Sequence, residues 1–447
     1  MAEENGSGTV TLVPATAVVV GNMVGTGVFT SLGFQLLGIQ SGFVLMALWA
    51  LGGVCALCGA FCYGELAAAL PRSGGEYHFL SRIYHPVAGF LAGWVSVTVG
   101  FAAPVALVAM AFGKYFAGIV DVPGMCRSTL ALLVSSVLVA LVTAVHLLHI
   151  GVGSKFQSVF TGLKVGLILV LVGAAFLIGQ SQGVSFLPRA GDVDQLFSQP
   201  FAVSLVYVMY AYTGWNAATY IVNEVKRPRE TVPRALLLGT ALVMLLYLGL
   251  NAAFLYSTPM AEMAGKEEVG LVAAQSIFGE QGGRIMGGLI CVGLVSALSA
   301  MTWAGPRVAE TIGDDYPALR WLAFKSRAGI PVLAVLWQTG IVYLLLFTST
   351  FEVVLVYIEL LLLLSALLTV AGVFWLRWRE PELERPIQTW GYPVTPLLFI
   401  GVSVWMIVYV AKERPGEALW GVVTLGAGLL LYLLTRGRAS GRGAGRR

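Results

Sequence analysis

Gly21-Asn22-Met23-Val24-Gly25-Thr26-Gly27-Val28-Phe29 lies inside the first long apolar stretch of the chain, and Tyr210-Ala211-Tyr212-Thr213-Gly214-Trp215-Asn216 lies inside the sixth. Each glycine lowers helix propensity by roughly 1 kcal/mol relative to alanine. A span that only faces lipid has no use for that cost. Backbone freed from its helix at membrane depth is tolerated where it is buried or lines a cavity. Two readings follow for each run. Small residues let helices pack closely, or the helix unwinds and offers its backbone groups to a ligand. In the second reading Thr26 and Gly27 open a half-helix whose N–H groups hold an anion such as a carboxylate. Carbonyls near Met23, Tyr210 and Thr213, with Ala211 among them, hold a cation such as an ammonium. A zwitterionic α-amino acid meets both demands.

The rest of the chain supports a membrane setting. Of 447 residues, 57% are hydrophobic and only 11% are charged, too few charges to cover a soluble domain. Apolar stretches long enough for a bilayer recur from end to end. The fold class read from them is all-α integral membrane, with about twelve spans. They cover 12–37, 41–70, 86–119, 128–148, 155–178, 201–225, 233–256, 283–312, 331–347, 352–377, 395–410 and 419–434. Arg and Lys concentrate in alternate loops, among them Arg72, Arg82, Lys226, Arg227, Arg320, Arg377 and Arg385. By the positive-inside rule this places both termini in the cytoplasm of a multi-pass cell-membrane protein. The net charge of +4 is therefore a topology signal, and no nucleic-acid partner is expected. The polar, acidic start has no basic n-region or A-x-A site, so no cleaved signal peptide is expected.

The interrupted segments are the first and the sixth, corresponding members of two five-helix units. Since five is odd, the second unit lies upside down relative to the first, and the site falls at their interface near the midplane. The expected divisions are a cytoplasmic N-terminus at 1–11, a transport core at 12–378, two added spans at 395–435 and a basic, unstructured tail at 436–447. The core divides into repeats at 12–180 and 197–378.

Five stretches carry a family resemblance. They are the 21–29 run, Tyr63-Gly64-Glu65-Leu66 with Pro71-Arg72-Ser73-Gly74-Gly75-Glu76-Tyr77, Gly214-Trp215-Asn216 with NEVKRPRETVPRA at 223–235, 296–307, and ERPIQTWGYPVTP at 384–396. In these the chain resembles the amino acid–polyamine–organocation superfamily of transporters along nearly its whole length. The resemblance implies a five-plus-five inverted repeat with the last two spans outside it, and secondary active amino acid transport by alternating access. It also implies a role for Lys164, in Phe160-Thr161-Gly162-Leu163-Lys164 of the fifth span. Proton-coupled and exchanging relatives carry a lysine there that faces the first broken helix, in the place of a sodium ion. Sodium independence follows, with proton symport and exchange both open. Snorkelling to the interface is the other reading of Lys164.

Glu359 is costly inside a membrane helix unless it has a partner or a task. It reads as a gate, a proton acceptor, a counter-charge for a basic substrate, or a structural hydrogen-bonding group. Trp303, Met301, Phe101 and Tyr212 or Trp215 are candidate pocket walls, with plain packing as the alternative. Ser296 and Ser299 are candidate oxygens beside Lys164. Glu65, Glu76, Arg72, Arg82, Glu224, Arg307 and Glu310 form an inner gate or a solvated rim. Cys55, Cys58 and Cys62 share one apolar helix without further ligands, so no metal or cofactor is expected. An accessory single-span subunit is not expected, Cys126 being the sole candidate link. A membrane enzyme lacks a catalytic cluster, and a channel lacks a pore stripe. An amino acid sensor and a polyamine or organocation exchanger remain as alternatives.

Overall fold

The computed structural model describes residues 9–148, 154–327 and 329–443, with backbone alone at 154–158, 318 and 435–443. Among them the chain is helical, apart from one isolated parallel bridge between Val10 and Val225. Ten helices are long and apolar enough to cross a bilayer. Two shorter ones, Gln199–Tyr212 and Val332–Thr348, complete the twelve read from the sequence. At 1.5 Å per residue the fourteen-residue Gln199–Tyr212 covers only about 21 Å. The sixth span finishes its course as two tight 3-10 turns, Ala217–Tyr220 and Val222–Glu224, where an α-helix through 225 was expected.

Other departures have local causes. The eighth helix runs Val269–Asp315 instead of starting near 283, but Gly279 (φ 73°, ψ 180°) breaks it into a short arm and a span. Only glycine adopts that backbone readily. The third span, Pro86–Val95 and Ala102–Ile119, is joined by a wide turn at Ser96–Gly100. Pro104, just past that turn, has no N–H to return to the carbonyl four residues back, which loosens the helix there. Between the second and third spans, Gly75–Ile83 forms a separate short helix. The last helix continues to Gly443, so most of the expected unstructured tail is helical; 444–447 lie outside the described residues.

The packing is two-fold related. The first span meets the sixth, the second the seventh, the third the eighth and the fourth the ninth. Contacts between non-equivalent spans come in mates as well. First with seventh is matched by sixth with second, first with fifth by sixth with tenth, and third with tenth by eighth with fifth. Val394–Glu413 and Pro415–Leu434 sit at the margin, largely exposed. The core is the inverted repeat, and the last two spans are additions to it.

Candidate functional site

The first span is helical over Leu12–Met23 and again over Gly27–Gln35. Across the gap, Gly25 N–H turns back to the Met23 carbonyl at 2.8 Å. The sixth span stops at Tyr212 and turns at Gly214, whose φ of +95° favours glycine. A β-carbon at Gly214 would stand 2.9 Å from the Asn22 carbonyl carbon, and one at Gly27 only 2.4 Å from Ala211 Cα. The two breaks therefore lie against each other, backbone on backbone. Gly25 differs, because the nearest atom to its β-position is Met23 O at 4.0 Å. Close packing accounts for Gly27 and Gly214, and open space accounts for Gly25.

That difference predicts two outcomes. Gly25→Ala should fold normally and weaken ligand binding, because its methyl projects where a ligand's backbone-bound group would lie. Gly27→Ala forces the two breaks apart and should lower thermal stability by about 1–3 kcal/mol, the usual cost of overpacking. Thermal unfolding of both purified variants, with and without ligand, checks this; equal stability loss for both would contradict the geometry.

The backbone groups at the breaks sort into used and unused. Met23 O accepts from Gly25 N–H and from Tyr247 OH at 2.6 Å. Tyr210 O accepts from Thr213 N–H at 3.0 Å and Thr213 Oγ1 at 2.6 Å. The Met23 and Tyr210 carbonyls thus each already accept two donors. Among the described residues the carbonyls of Asn22, Ala211 and Tyr212 receive no donor. The N–H groups of Thr26, Gly27 and Val28, at the start of the second half-helix, likewise have no protein acceptor. Lys164 is buried, and its Nζ lies 3.5 Å from Gly21 O, at the C-terminal end of the first half-helix. A cation is favoured at that end of the helix dipole.

A cavity of about 160 Å³ opens beside the breaks. Met23, Gly25, Thr26, Gly27, Tyr210, Ala211, Thr213 and Trp215 all line it, as do Glu359, Phe101 and Met301. Lys164 is not among the residues that line it. Trp303 is elsewhere: it is partly exposed, with the Arg307 guanidinium 3.6 Å above its ring. Ser299 bonds His146 at 3.0 Å instead of Lys164, while Ser296 Oγ has no partner. Asn22, Ser96, Pro104, Ala300, Ser365 and Phe399 also line the cavity and were not anticipated. Phe399, from the eleventh span, carried no signal, being one aromatic in an apolar helix.

The two ends of the cavity are built differently. At the end away from the basic loops, Tyr207 OH donates to Glu352 at 2.5 Å, Arg414 pairs with the same carboxylate, and Phe34 stacks on Phe351. Tyr115 OH donates to Phe29 O at 2.8 Å and accepts from Gly270 N–H, tying the short arm of the eighth helix to the first span. At the basic end, Glu76 accepts from Tyr63 at 2.9 Å, from Tyr220 at 2.8 Å and from Asn216. Glu76 is thus a hub between the second span and the loose half of the sixth. Arg82 grips Glu380 with two bonds of 2.7 and 2.9 Å and holds that carboxyl below its ordinary range. Glu65 receives Arg377 and the Thr389 N–H, and Lys325 reaches Glu310 at 2.5 Å. Arg72, Glu224 and Arg307, expected in the same set, form no ion pair among the described residues. Val10 pairs with the 224–226 backbone, pinning the N-terminal segment beside this end. Cys126 stands exposed before the fourth span, where hydrogen bonds from Ser128 and Thr129 pull its thiol down to about 7.

Comparison with known proteins agrees with this geometry. The chain is 24% identical to human b(0,+)-type amino acid transporter 1 over 427 residues, covering 95% of this chain and 87% of that protein. It is 24% identical to mouse Asc-type amino acid transporter 1 over 429 residues, covering 95% and 80% respectively. It is 25% identical to human large neutral amino acids transporter small subunit 2 over 430 residues, covering 95% and 79%. The family model for amino acid permeases matches residues 10–429. Two helices broken against each other, a cavity between them and this match have one explanation: the chain belongs to the amino acid permease family, whose members are transporters and not enzymes.

Proposed function

We propose that the protein is a sodium-independent secondary transporter of amino acids in the cell membrane, working by alternating access with both termini in the cytoplasm. The observation that carries this is the pair of unused backbone sets beside one cavity, which Asn22, Thr26, Gly27 and Ala211 line. The N–H groups of Thr26, Gly27 and Val28 hold the α-carboxylate at a helix N-terminus. The carbonyls of Asn22, Ala211 and Tyr212 hold the α-ammonium. Phe101, Met301 and Trp215 face the side chain. The space, about 160 Å³, compares with the cavity of ~150 Å³ that holds one benzene ring, the scale of a single amino acid side chain.

In this reading residues 12–378 are the transport core, with repeats at 12–180 and 197–378, and 395–435 lie outside it. The ammonium of Lys164 stands where a coupling cation would otherwise be needed, so the cycle runs by proton symport or by exchange. With the basic end inside, the cavity leads toward Glu76, Asn216 and Tyr220, and the Tyr207–Glu352–Arg414 cluster closes the outer side. The inner cluster opens and closes around Glu76. One relative is named a small subunit, which weakens the expectation that no accessory chain exists; Cys126 is where one would be linked.

The test is uptake of radiolabelled amino acids by proteoliposomes loaded with unlabelled amino acid, with sodium replaced by choline. Uptake should be unchanged by the replacement, and the methyl ester of the best substrate should compete at least tenfold more weakly than the acid, since the lost charge-assisted bonds are worth ~1.5–3 kcal/mol. Strict dependence on sodium, or full competition by the ester, refutes the assignment.

A further inference from the structure

Two acidic side chains line the cavity, Glu76 and Glu359, and no lysine, arginine or histidine does. The Glu76 carboxylate is occupied by Tyr63, Asn216 and Tyr220. Glu359 is different. It is 2% exposed, and its Oε2 has no hydrogen-bond partner among the described residues. Among the described residues it forms no ion pair. Lys164 is turned to Gly21 O. Leu362, Leu363, Ala300 and Met301 line the same cavity, as does Tyr210. From the other cavity-lining spans, the first, third and eighth, no titratable side chain faces it.

A carboxylate in such surroundings is costly unless a positive group arrives to meet it. The same wall also holds the donor-free carbonyl of Ala211. We infer that Glu359 receives the cationic side-chain group of the substrate, which makes this a carrier for amino acids with a basic side chain. The inference rests on the proposed α-carboxylate and α-ammonium sites and adds a third point of recognition. Those two sites hold any amino acid; Glu359 selects among them by charge.

The experiment compares L-arginine with its uncharged isostere L-citrulline, and with L-leucine, on the full-length purified protein. Exchange uptake and thermal stabilisation are measured for wild type, Glu359→Gln and Glu359→Asp. Wild type should prefer arginine over citrulline by about tenfold to a hundredfold, the range for a charge-assisted contact. Glu359→Gln should erase that preference while leaving leucine within about threefold of wild type, and Glu359→Asp should retain part of it. Retained leucine binding shows that the variant folds. Equal wild-type affinity for arginine and citrulline overturns the inference, as does an equal loss of arginine and leucine in Glu359→Gln. A changed pH dependence of leucine uptake, with arginine untouched, overturns it in favour of a proton on this carboxyl. If wild type takes up none of the three, the transport reading itself has failed, an outcome distinct from a carrier that takes leucine and ignores charge.

Discussion

Lys164→Ala is expected to lower the rate of amino acid uptake by about tenfold to a hundredfold, while the protein still reaches the membrane and purifies as a folded carrier. The size follows from what is lost. The ammonium stands 3.5 Å from Gly21 O at the C-terminal end of the first half-helix, where a buried cation is favoured by up to ~2 kcal/mol through the helix dipole. Each 1.4 kcal/mol is a factor of about ten. Without it the carbonyl end is left bare in an apolar setting, and the break loses its position against the fifth span. Gly293 on the eighth span, 3.6 Å from Lys164 Cγ on closest approach of its β-position, leaves room for the stem to pass. Lys164→Arg keeps the charge but not the compact head group, and should retain only part of the activity. Uptake into proteoliposomes, made with equal amounts of protein checked by size-exclusion chromatography, measures both. Uptake by Lys164→Ala within a factor of about two of wild type would remove this residue from the mechanism.

The largest stability effect falls at a different place. Glu65 is 2% exposed at the basic end of the second span and accepts Arg377 Nε at 2.8 Å, Arg377 Nη2 at 2.6 Å and Thr389 N–H at 2.7 Å. Arg385 Nε lies 3.6 Å from it, and the Arg377 guanidinium also stacks 3.9 Å over Tyr392. Glu65→Gln leaves two guanidinium groups in a confined space without a counter-charge. Removing one partner of such a pair costs about 3–5 kcal/mol. The thermal midpoint of the detergent-purified protein should fall accordingly. Glu65→Met combined with Arg377→Met should recover part of that loss, because the widowed cation, more than the missing pair, is what destabilises. A single variant within about 1 kcal/mol of wild type would show the cluster to be solvated.

This cluster also shows where sequence reading stops. The number of spans, the two breaks and the depth of Glu359 were legible, because each is a local property of composition and length. Glu65, Arg377, Arg385 and Thr389 stand far apart in the chain, and nothing local pairs them; the ERPIQTWGYPVTP stretch was visible as a motif but its task, supplying Arg385 and the Thr389 N–H to Glu65, was not. Direction was equally hidden. A helix apolar on every side has no phase to read, so Trp303 and Met301 were indistinguishable until the eighth helix showed Met301 toward the cavity and Trp303 under Arg307. The glycines of the first break looked alike, yet Gly27 answers to Ala211 and Gly25 to empty space. The carbonyls of Met23 and Tyr210 accept from Tyr247 and Thr213, pairings that no local feature of the sequence announces.

The mated contacts of the two halves have an energetic consequence. Many of the surfaces that one half shows its counterpart are answered by an equivalent surface shown in return. Under the alternating access proposed above, each half would take up the shape of the other, and the two end states would then differ little in packing. Between such states a bound ligand shifts the balance only through its differential affinity. A carrier balanced in that way would have no preferred direction of its own, and its net flux would be dictated by the concentrations it meets on the two sides.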